Sequence, residues 1–409
     1  MILTGPFTQL LPLADLPLRG KLSDDQLRII PNAGLLTEGG RVIATGNFDD
    51  LWAETSGKGV EVHEIPTPAV CLPGFVDCHT HLLFAGSRAT DYAARNAGKT
   101  YQEIAAAGGG IRDTMGKTRA ASDEELARTL RARLDRHLRN GVTTVEVKSG
   151  YGLSVAQELR MLRVIKKTGD AHAADVVSTC LAAHIIPPEI GDERAWLRII
   201  LEGIVPAVAA GQLANRFDIF VEAGAFTAEY GRPFLERLKR QGFGITVHGD
   251  QFTTGGSQLA IDVGALSVDH LEASGDEEIA ALAKSGVIPV ALPGASIGLG
   301  CAFTPARRLL DAGASLAIAS DWNPGSAPMG DLLTQAAILG TFEKLTTAEV
   351  LAGLTFRAAA ALGLNDRSRL AVGRQADFIT FPAADYREIL YQQGQLKPNR
   401  IWKNGSPIT

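Results

Sequence analysis

The sequence has few cysteines and few aromatic residues, and it has no long apolar run. Its four cysteines (Cys71, Cys78, Cys180 and Cys301) are scattered over 409 residues and form no CxxC pair, which predicts reduced thiols and a cytoplasmic location. The first twenty residues lack a cationic start followed by an apolar stretch, so we expect no signal peptide. Glycine, proline or charge interrupts each apolar run short of membrane-spanning length, so we expect no contact with a membrane.

Basic charge is not in excess either. Lysine and arginine number 40 against 45 acidic residues, and no block of them forms a basic stripe, which argues against nucleic acid as a partner. The apolar fraction of 45% and the mean hydropathy of +0.06 are typical of a globular protein. The length suits one large barrel with a smaller appended module.

From residue 70 to residue 321, short β-branched apolar runs alternate with segments of helical periodicity. Runs that are apolar on both faces are typical of buried parallel strands, and eight of them with helices between predict a (β/α)8 TIM barrel. The eight runs are Val70–Cys78, Val142–Val147, Val176–Ala182, Phe217–Val221, Gly244–Val247, Ala265–Val268, Val287–Ala291 and Leu316–Ala319.

Local signals support the helices between these runs. Ser122 and Glu125 have the spacing of a capping box, in which the serine side chain accepts a hydrogen bond from the amide three residues later. Behind them, one apolar stripe is predicted from a leucine at every fourth residue, namely Leu126, Leu130, Leu134 and Leu138.

The two ends of the chain do not follow the alternating pattern. Short β-like stretches interrupted by Gly-Gly and Pro occupy the first 68 residues, and similar stretches return near the carboxyl end. We therefore predict a small β-sandwich domain formed by residues 1–68 and 366–409. The barrel domain, residues 69–365, is inserted between its two halves.

Histidine and aspartate cluster at the carboxyl ends of the predicted strands. His79 and His81 close the first strand, and both imidazoles can bind one ion because residues i and i+2 of a strand share a face. His248 follows the fifth strand and Asp321 the eighth, at the barrel face where such enzymes carry their chemistry. These four residues are predicted to hold one divalent metal.

Three imidazoles and one carboxylate suit zinc or ferrous iron, and we predict zinc, with iron as the alternative. A binuclear site would need a bridging carboxylate or a carbamylated lysine. Lys148, after the second strand, and Glu222, after the fourth, are the candidates for that role. We predict a mononuclear site.

A divalent metal lowers the pKa of a bound water toward 7 and so makes it a nucleophile at neutral pH. Asp321 can accept the proton of that water and pass it to a leaving nitrogen, and His270, after the sixth strand, can polarise the carbonyl or orient the water. Gln251 stands three residues after His248, where many deaminases on this barrel have a glutamate. An amide cannot carry protons, so Gln251 orients the substrate and favours amide hydrolysis over deamination.

The motifs along nearly the whole chain resemble those of the imidazolonepropionases, amidohydrolases of histidine degradation. Their order and spacing are more specific than the HxH pair alone. The residues that carry the resemblance are PGFVDCHTHLLFAGSR (73–88), YQEIAAAGGGI (101–111), GVTTVEVKSGYGL (141–153), AAHIIPPE (182–189), VDHLEAS (268–274), LPGA (292–295) and SDWNPGSAP (320–328).

This resemblance implies hydrolysis of 4-imidazolone-5-propanoate to N-formimidoyl-L-glutamate, a small-molecule reaction, and a homodimer. It also implies that certain residues contact the substrate or lie near the product: Arg88, Tyr101, Tyr151 and His184 for the substrate, and Asn323, Gly325 and Ser326 for the product. An arginine can clamp a carboxylate with two parallel hydrogen bonds, although by itself Arg88 would more ordinarily form a surface salt bridge.

Two departures from the family pattern lie beside the predicted pocket. They are the segment Ser296–Cys301 and Trp322, and both bear on substrate preference. The alternative function is that of a related amidohydrolase or deaminase acting on another small cyclic amide or amino-heterocycle. A third reading, a catalytically inactive scaffold, is disfavoured by the complete set of metal ligands.

Overall fold

The computed structural model describes residues 1–408, except for the side chains of Tyr101, Gln102 and Ala105. In chain order the strands are β1 (Ile2–Leu10), β2 (Ile30–Glu38), β3 (Arg41–Asn47), β4 (Glu61–Glu64), β5 (Val70–Pro73), β6 (Phe75–Asp77), β7 (Val142–Lys148), β8 (Asp175–Ala183), β9 (Arg216–Val221), β10 (Gly244–Gly249), β11 (Ser267–His270), β12 (Ile288–Ala291), β13 (Ala317–Ile318), β14 (Phe378–Phe381), β15 (Arg400–Lys403) and β16 (Ser406–Ile408).

The helices connect and cover these strands. They are α1 (Phe48–Thr55), α2 (Ala89–Asn96), α3 (Tyr101–Ala106), α4 (Ile111–Ala120), α5 (Asp123–Arg139), α6 (Val155–Asp170), α7 (Glu193–Ile199), α8 (Val205–Gly211), α9 (Ala228–Arg240), α10 (Gly256–Val263), α11 (Asp276–Lys284), α12 (Pro293–Leu299), α13 (Ala306–Asp311), α14 (Leu332–Glu343), α15 (Thr347–Leu354), α16 (Phe356–Ala361) and α17 (Glu388–Tyr391). A 3₁₀ turn spans Asp24–Gln26, and a π-helical turn at Ile200–Ile204 joins α7 to α8.

Strands β6 to β13 form one parallel sheet in which each strand pairs with its neighbours in chain order. The two ends of this sheet meet beyond β6 and β13. There the Asp321 amide donates to the His79 carbonyl and the His81 amide donates to the Trp322 carbonyl, each at 3.0 Å. The predicted (β/α)8 barrel is confirmed, and these closing bonds lie at its carboxyl-terminal face.

The first predicted strand differs from the other seven, which overlap β7 to β13. The run Val70–Cys78 divides at Gly74 into β5, which joins a second sheet, and β6, which begins the barrel. A Cβ atom at Gly74 would overlap the side chain of Thr143 on β7, so the chain needs glycine where it passes from one sheet to the other.

The second sheet is a mixed sheet built from both ends of the chain, which confirms the predicted small β-domain. Its order is β16-β15-β14-β5-β1-β2-β3, with β4 paired to β1. The division at residues 68/69 and 365/366 remains a proposal, and the pairing of β5 with β1 and β14 continues the mixed sheet to Pro73. Lys403 of β15 connects this sheet to the barrel through an ion pair with Asp175 of β8 at 2.9 Å, and it also pairs with Asp377, beside β14, at 2.5 Å.

Helix α5 shows how the sequence signals produce the packing. The Ser122 side chain accepts the Glu125 amide at 3.1 Å, as predicted. The four stripe leucines are buried, with exposures of 6% or less. Burying one leucine side chain contributes about 1.5–3 kcal/mol, so this stripe fixes α5 against the barrel. Within residues 1–408, no helix is long and apolar enough to cross a bilayer.

Candidate metal and substrate site

Three imidazoles converge at the carboxyl-terminal face of the barrel. His79 and His81 follow β6, His248 lies in β10, and one nitrogen from each lies within 4.8 Å of the other two. The Nε2 atoms of His81 and His248 are 3.3 Å apart, and the buried Nε2 of His79 has no hydrogen-bond partner. A buried polar atom without a hydrogen-bond partner is unfavourable unless a ligand contacts it. The three converging imidazole nitrogens therefore fit a bound cation.

The three imidazoles are also neutral, which is the protonation state that a metal ligand requires. Burial lowers the pKa of His81 and of His248 to about 3, and it lowers the pKa of His79 well below its usual value. A neutral imidazole offers the lone pair that a metal binds, whereas a protonated one does not. At neutral pH the three rings are therefore in the form that can coordinate.

Asp321 adds an oxygen to this nitrogen set. Its Oδ1 lies 3.4 Å from His81 Nε2 and 3.6 Å from His79 Nε2. Its Oδ2 accepts hydrogen bonds from Asn323 Nδ2 at 2.9 Å and from Ser326 Oγ at 3.3 Å. The two oxygens are thus in different surroundings, one anchored and one facing the imidazoles. Three nitrogens and one oxygen are a ligand set that fits a divalent cation.

The two candidates for a second-metal ligand are engaged elsewhere. Lys148 Nζ lies 2.8 Å from Glu146 Oε1 and 2.9 Å from Asp218 Oδ2, so it is paired as an ammonium group. The Glu222 carboxylate accepts the backbone amides at 252 and 253, at 2.8 and 3.1 Å, and also the Thr253 hydroxyl. Neither side chain is placed as a bridging ligand, which favours a mononuclear site.

His270 ends β11 beside the imidazole cluster, with its ring centroid 5.4 Å from that of His248. Its Nδ1 lies 3.4 Å from Glu272 Oε2, a neighbour that the sequence analysis missed. Burial lowers the pKa of His270, but the carboxylates of Glu272, Asp321 and Asp269 together outweigh burial, and the net pKa is raised. The sequence signal that could have identified Glu272 is an acidic residue two positions after His270, just beyond the end of β11.

A cavity of about 700 Å³ opens over the imidazoles. It brings together most of the residues singled out from the sequence, and His79 lies buried beneath it. The predicted residues in its lining are His81, Arg88, Tyr151, His184, His248, Gln251, His270, Asp321, Asn323, Gly325 and Ser326. Tyr101 begins α3, and its side chain lies outside the described residues. Arg95 and Lys99, which the sequence analysis did not single out, also line the cavity.

Arg88 and Arg95 place guanidinium groups at the wall of this cavity. Arg88 Nε donates to Asp91 Oδ2 at 2.8 Å, and that same oxygen accepts the Gly110 amide at 2.8 Å. The bond to Asp91 leaves the two Nη groups for a ligand. Arg95 approaches the same place, with its Nη2 3.5 Å from the Gly325 carbonyl. Two guanidinium groups at one end favour a substrate with a carboxylate.

The Arg88 guanidinium packs closely against Gly325, and a Cβ atom at position 325 would overlap Arg88 Nη1. We expect Gly325→Ala to displace the guanidinium and to raise KM about 10–100-fold, equivalent to about 1.4–2.8 kcal/mol of lost binding, with a smaller change in kcat. Steady-state kinetics would measure this. Gly286→Ala, where a Cβ meets no atom within 4 Å, is the matched control. Equal KM values for the two variants would contradict the expectation.

His184 and Tyr151 form one wall of the cavity. His184 stacks on His81, with ring centroids 5.2 Å apart and planes at 22°, and its ring centroid is 5.6 Å from that of Tyr151. His184 Nδ1 lies 3.1 Å from the Gly150 carbonyl. A carbonyl only accepts, so the proton is on Nδ1 and Nε2 retains a lone pair for a ligand.

The two departures from the family pattern lie in different places. Trp322 packs edge-on against His137, with ring centroids 4.9 Å apart, and Arg136 lies over its ring at 4.8 Å. Leu299 and Cys301, from the other segment, line the cavity. Any effect on substrate preference is therefore more direct for Leu299 and Cys301 than for Trp322.

Comparison with known proteins agrees with this geometry. Residues 102–390 match the model of the amidohydrolase family. The imidazolonepropionase of Symbiobacterium thermophilum is 42% identical over 98% of this chain and 95% of its own length, and that of Deinococcus deserti is 41% identical over 94% of each. This chain belongs to the imidazolonepropionase family. As a member of this family it is a hydrolase of carbon–nitrogen bonds, and such hydrolases on this barrel use a divalent metal.

Solved structures with the same fold are more distant from this imidazolonepropionase family member in sequence. Atrazine chlorohydrolase TrzN from Arthrobacter aurescens TC1, complexed with zinc, has a TM-score of 0.71 at 16% identity, covering 100% of this chain and 95% of its own. Helicobacter pylori aminofutalosine deaminase has a TM-score of 0.72 at 13% identity, with full coverage of both chains. At these identities the likeness shows the fold alone.

Proposed function

We propose that this protein is an imidazolonepropionase that hydrolyses 4-imidazolone-5-propanoate to N-formimidoyl-L-glutamate in L-histidine degradation. The observation that carries the proposal is a single cavity with the three-imidazole cluster beneath it and Arg88 in its wall. A substrate with a cyclic amide and a flexible carboxylate matches both features. The family relationship supplies the identity of that substrate.

His79, His81, His248 and Asp321 would hold a divalent cation, which would supply a water of lowered pKa. Zinc is our choice and iron the alternative. The oxygen of a water would bond to the ring carbonyl carbon, and the ring carbon–nitrogen bond would break. One proton of that water moves through the Asp321 carboxylate to the leaving nitrogen.

Other residues orient the substrate during this reaction. Arg88, Tyr101, Tyr151 and His184 hold the substrate by its propanoate arm and ring, and Gln251 orients a ring N–H or C=O. His270, beside Glu272, polarises the carbonyl.

Asn323, Gly325 and Ser326 lie near the new carboxylate. Asn323 and Ser326 also hold Asp321 Oδ2, so their effect on catalysis includes the orientation of that carboxylate. A homodimer, a cytoplasmic location and the absence of nucleic-acid binding belong to the same proposal. They rest on the resemblance, the scattered cysteines and the net charge of −5.

The test is an ultraviolet assay that follows the loss of freshly made 4-imidazolone-5-propanoate, with the product identified by mass. We expect ring opening without release of ammonia, loss of activity after chelation, and recovery on adding zinc or iron to the apoprotein. An imidazolone that lacks the propanoate arm is the matched control and should react far more slowly. Ammonia release without ring opening would instead indicate a deaminase. A metal-loaded protein inert toward the imidazolone would contradict the proposal.

A further inference from the structure

A layer of charged side chains lies buried under the imidazole cluster. Glu146 and Lys148 extend from β7, Asp218 from β9 and Asp269 from β11, and each is 1% exposed or less. These are alternate strands of the barrel, whose interior layers are ordinarily filled by branched apolar side chains. A buried charge destabilises the fold unless an opposite charge or a hydrogen-bonding group lies beside it. Each of these four side chains is therefore expected to have such a partner.

Two of these carboxylates contact metal-site imidazoles on the side away from the cavity. Asp269 Oδ2 lies 2.6 Å from His79 Nδ1, and Asp218 Oδ2 lies 2.9 Å from His248 Nδ1. A carboxylate accepts hydrogen bonds, so the hydrogen bond to Asp269 holds the proton of a neutral His79 on Nδ1. The Asp218 carboxylate, 2.9 Å from His248 Nδ1, favours the same tautomer of His248 through its negative charge. The lone pair is then on Nε2, the nitrogen that faces the cluster.

Neighbouring polar side chains hold the Asp218 and Asp269 carboxylates in place. Lys148 Nζ bridges Asp218 and Glu146 at 2.9 and 2.8 Å, and Thr246 Oγ1 donates to Asp269 Oδ2 at 3.2 Å. The layer thus contains three carboxylates and one ammonium group. A dication bound by the imidazoles would supply the positive charge that this layer lacks.

We infer that Asp269 and Asp218 are positioning residues that select the metal-binding tautomers of His79 and His248 and so strengthen cation binding, with Lys148 and Glu146 holding Asp218 in place. The inference extends the proposed metal site. It assigns a role to two buried acidic residues of the barrel strands. It also explains why Lys148 is present as an ammonium group instead of a metal bridge.

The test measures metal affinity directly. Zinc dissociation constants are obtained by chelator competition on folded Asp269→Asn and Asp218→Asn proteins, and the cobalt(II)-substituted proteins are compared by visible absorption. An amide can donate to Nδ1 and so favours the wrong tautomer, and we expect each variant to bind zinc about 10–100-fold more weakly. The cobalt spectrum should shift because a ligand ring has turned or changed tautomer.

Asp377→Asn is the matched control, because Asp377 is equally buried and ion-paired but belongs to the mixed sheet. It should lower the melting temperature without changing zinc affinity. Unchanged zinc affinity and an unchanged cobalt spectrum in both folded test variants would overturn the inference. Substrate is absent from these measurements, so a wild-type protein that binds zinc but does not open the imidazolone ring defeats the proposed function alone.

Discussion

Replacing His79 with alanine is expected to remove the metal and to lower kcat/KM by about 10³-fold or more, the loss of several kcal/mol of transition-state stabilisation that a metal supplies. His79 is fully buried, its Nε2 has no hydrogen-bond partner, and its Nδ1 contacts Asp269. We expect no neighbouring side chain to take over as a metal ligand when the imidazole is removed. Elemental analysis of the purified variant and the imidazolone assay, made with and without added zinc, measure the two effects.

His63→Ala is the control for the His79 variant. His63 lies in the mixed sheet, where its Nε2 is 2.8 Å from Glu61 Oε1, away from the barrel strands. Its metal content and turnover should equal those of the unaltered protein. A His79→Ala protein that still held one metal per chain and turned over normally would show that the cluster is not the catalytic centre.

Asp321→Asn is expected to lower kcat by about 10²–10⁴-fold, the range for loss of a general acid–base group. An asparagine side chain can still accept hydrogen bonds from Asn323 and Ser326, so the fold of the loop should persist. It cannot take up a proton, and it is a weaker ligand. The kcat is measured at saturating substrate and saturating zinc, so that weaker metal binding does not account for the loss.

Asp276→Asn provides the comparison for Asp321→Asn, because the Asp276 side chain is 98% exposed and pairs with Arg308 on the surface. Its kcat should equal that of the unaltered protein. If zinc-saturated Asp321→Asn kept full kcat, the proton would have to pass through another group. His270, beside Glu272, would then be the first to test.

Several features were accessible from the sequence because they depend on neighbours along the chain. The leucine stripe of α5 and the cap at Ser122 follow from a period of 3.6 residues and from local hydrogen bonding. The HxH pair at His79 and His81 follows from the alternation of a strand. His248 and Asp321 could be added because the carboxyl ends of all barrel strands meet at one face.

Other features depend on pairs that are distant in the sequence. Asp269 is 190 residues from His79 in the sequence, and no local sequence pattern at either residue predicts their contact. Hydrophobicity could not show that the run Val70–Cys78 divides between two sheets, because both halves are equally buried. The engagement of Lys148 with Asp218 likewise needed the packing of β7 against β9, through β8.

The eight-stranded barrel, the amidohydrolase family and the cluster of His79, His81 and His248 could therefore be predicted from the sequence alone. Only the tertiary structure decided which oxygen of Asp321 faces the imidazoles, which charges lie under them, and which side chains are already engaged elsewhere. Local patterns record the period and polarity of one segment. Tautomers, ion pairs and close contacts depend on distances between segments that the chain brings together only on folding.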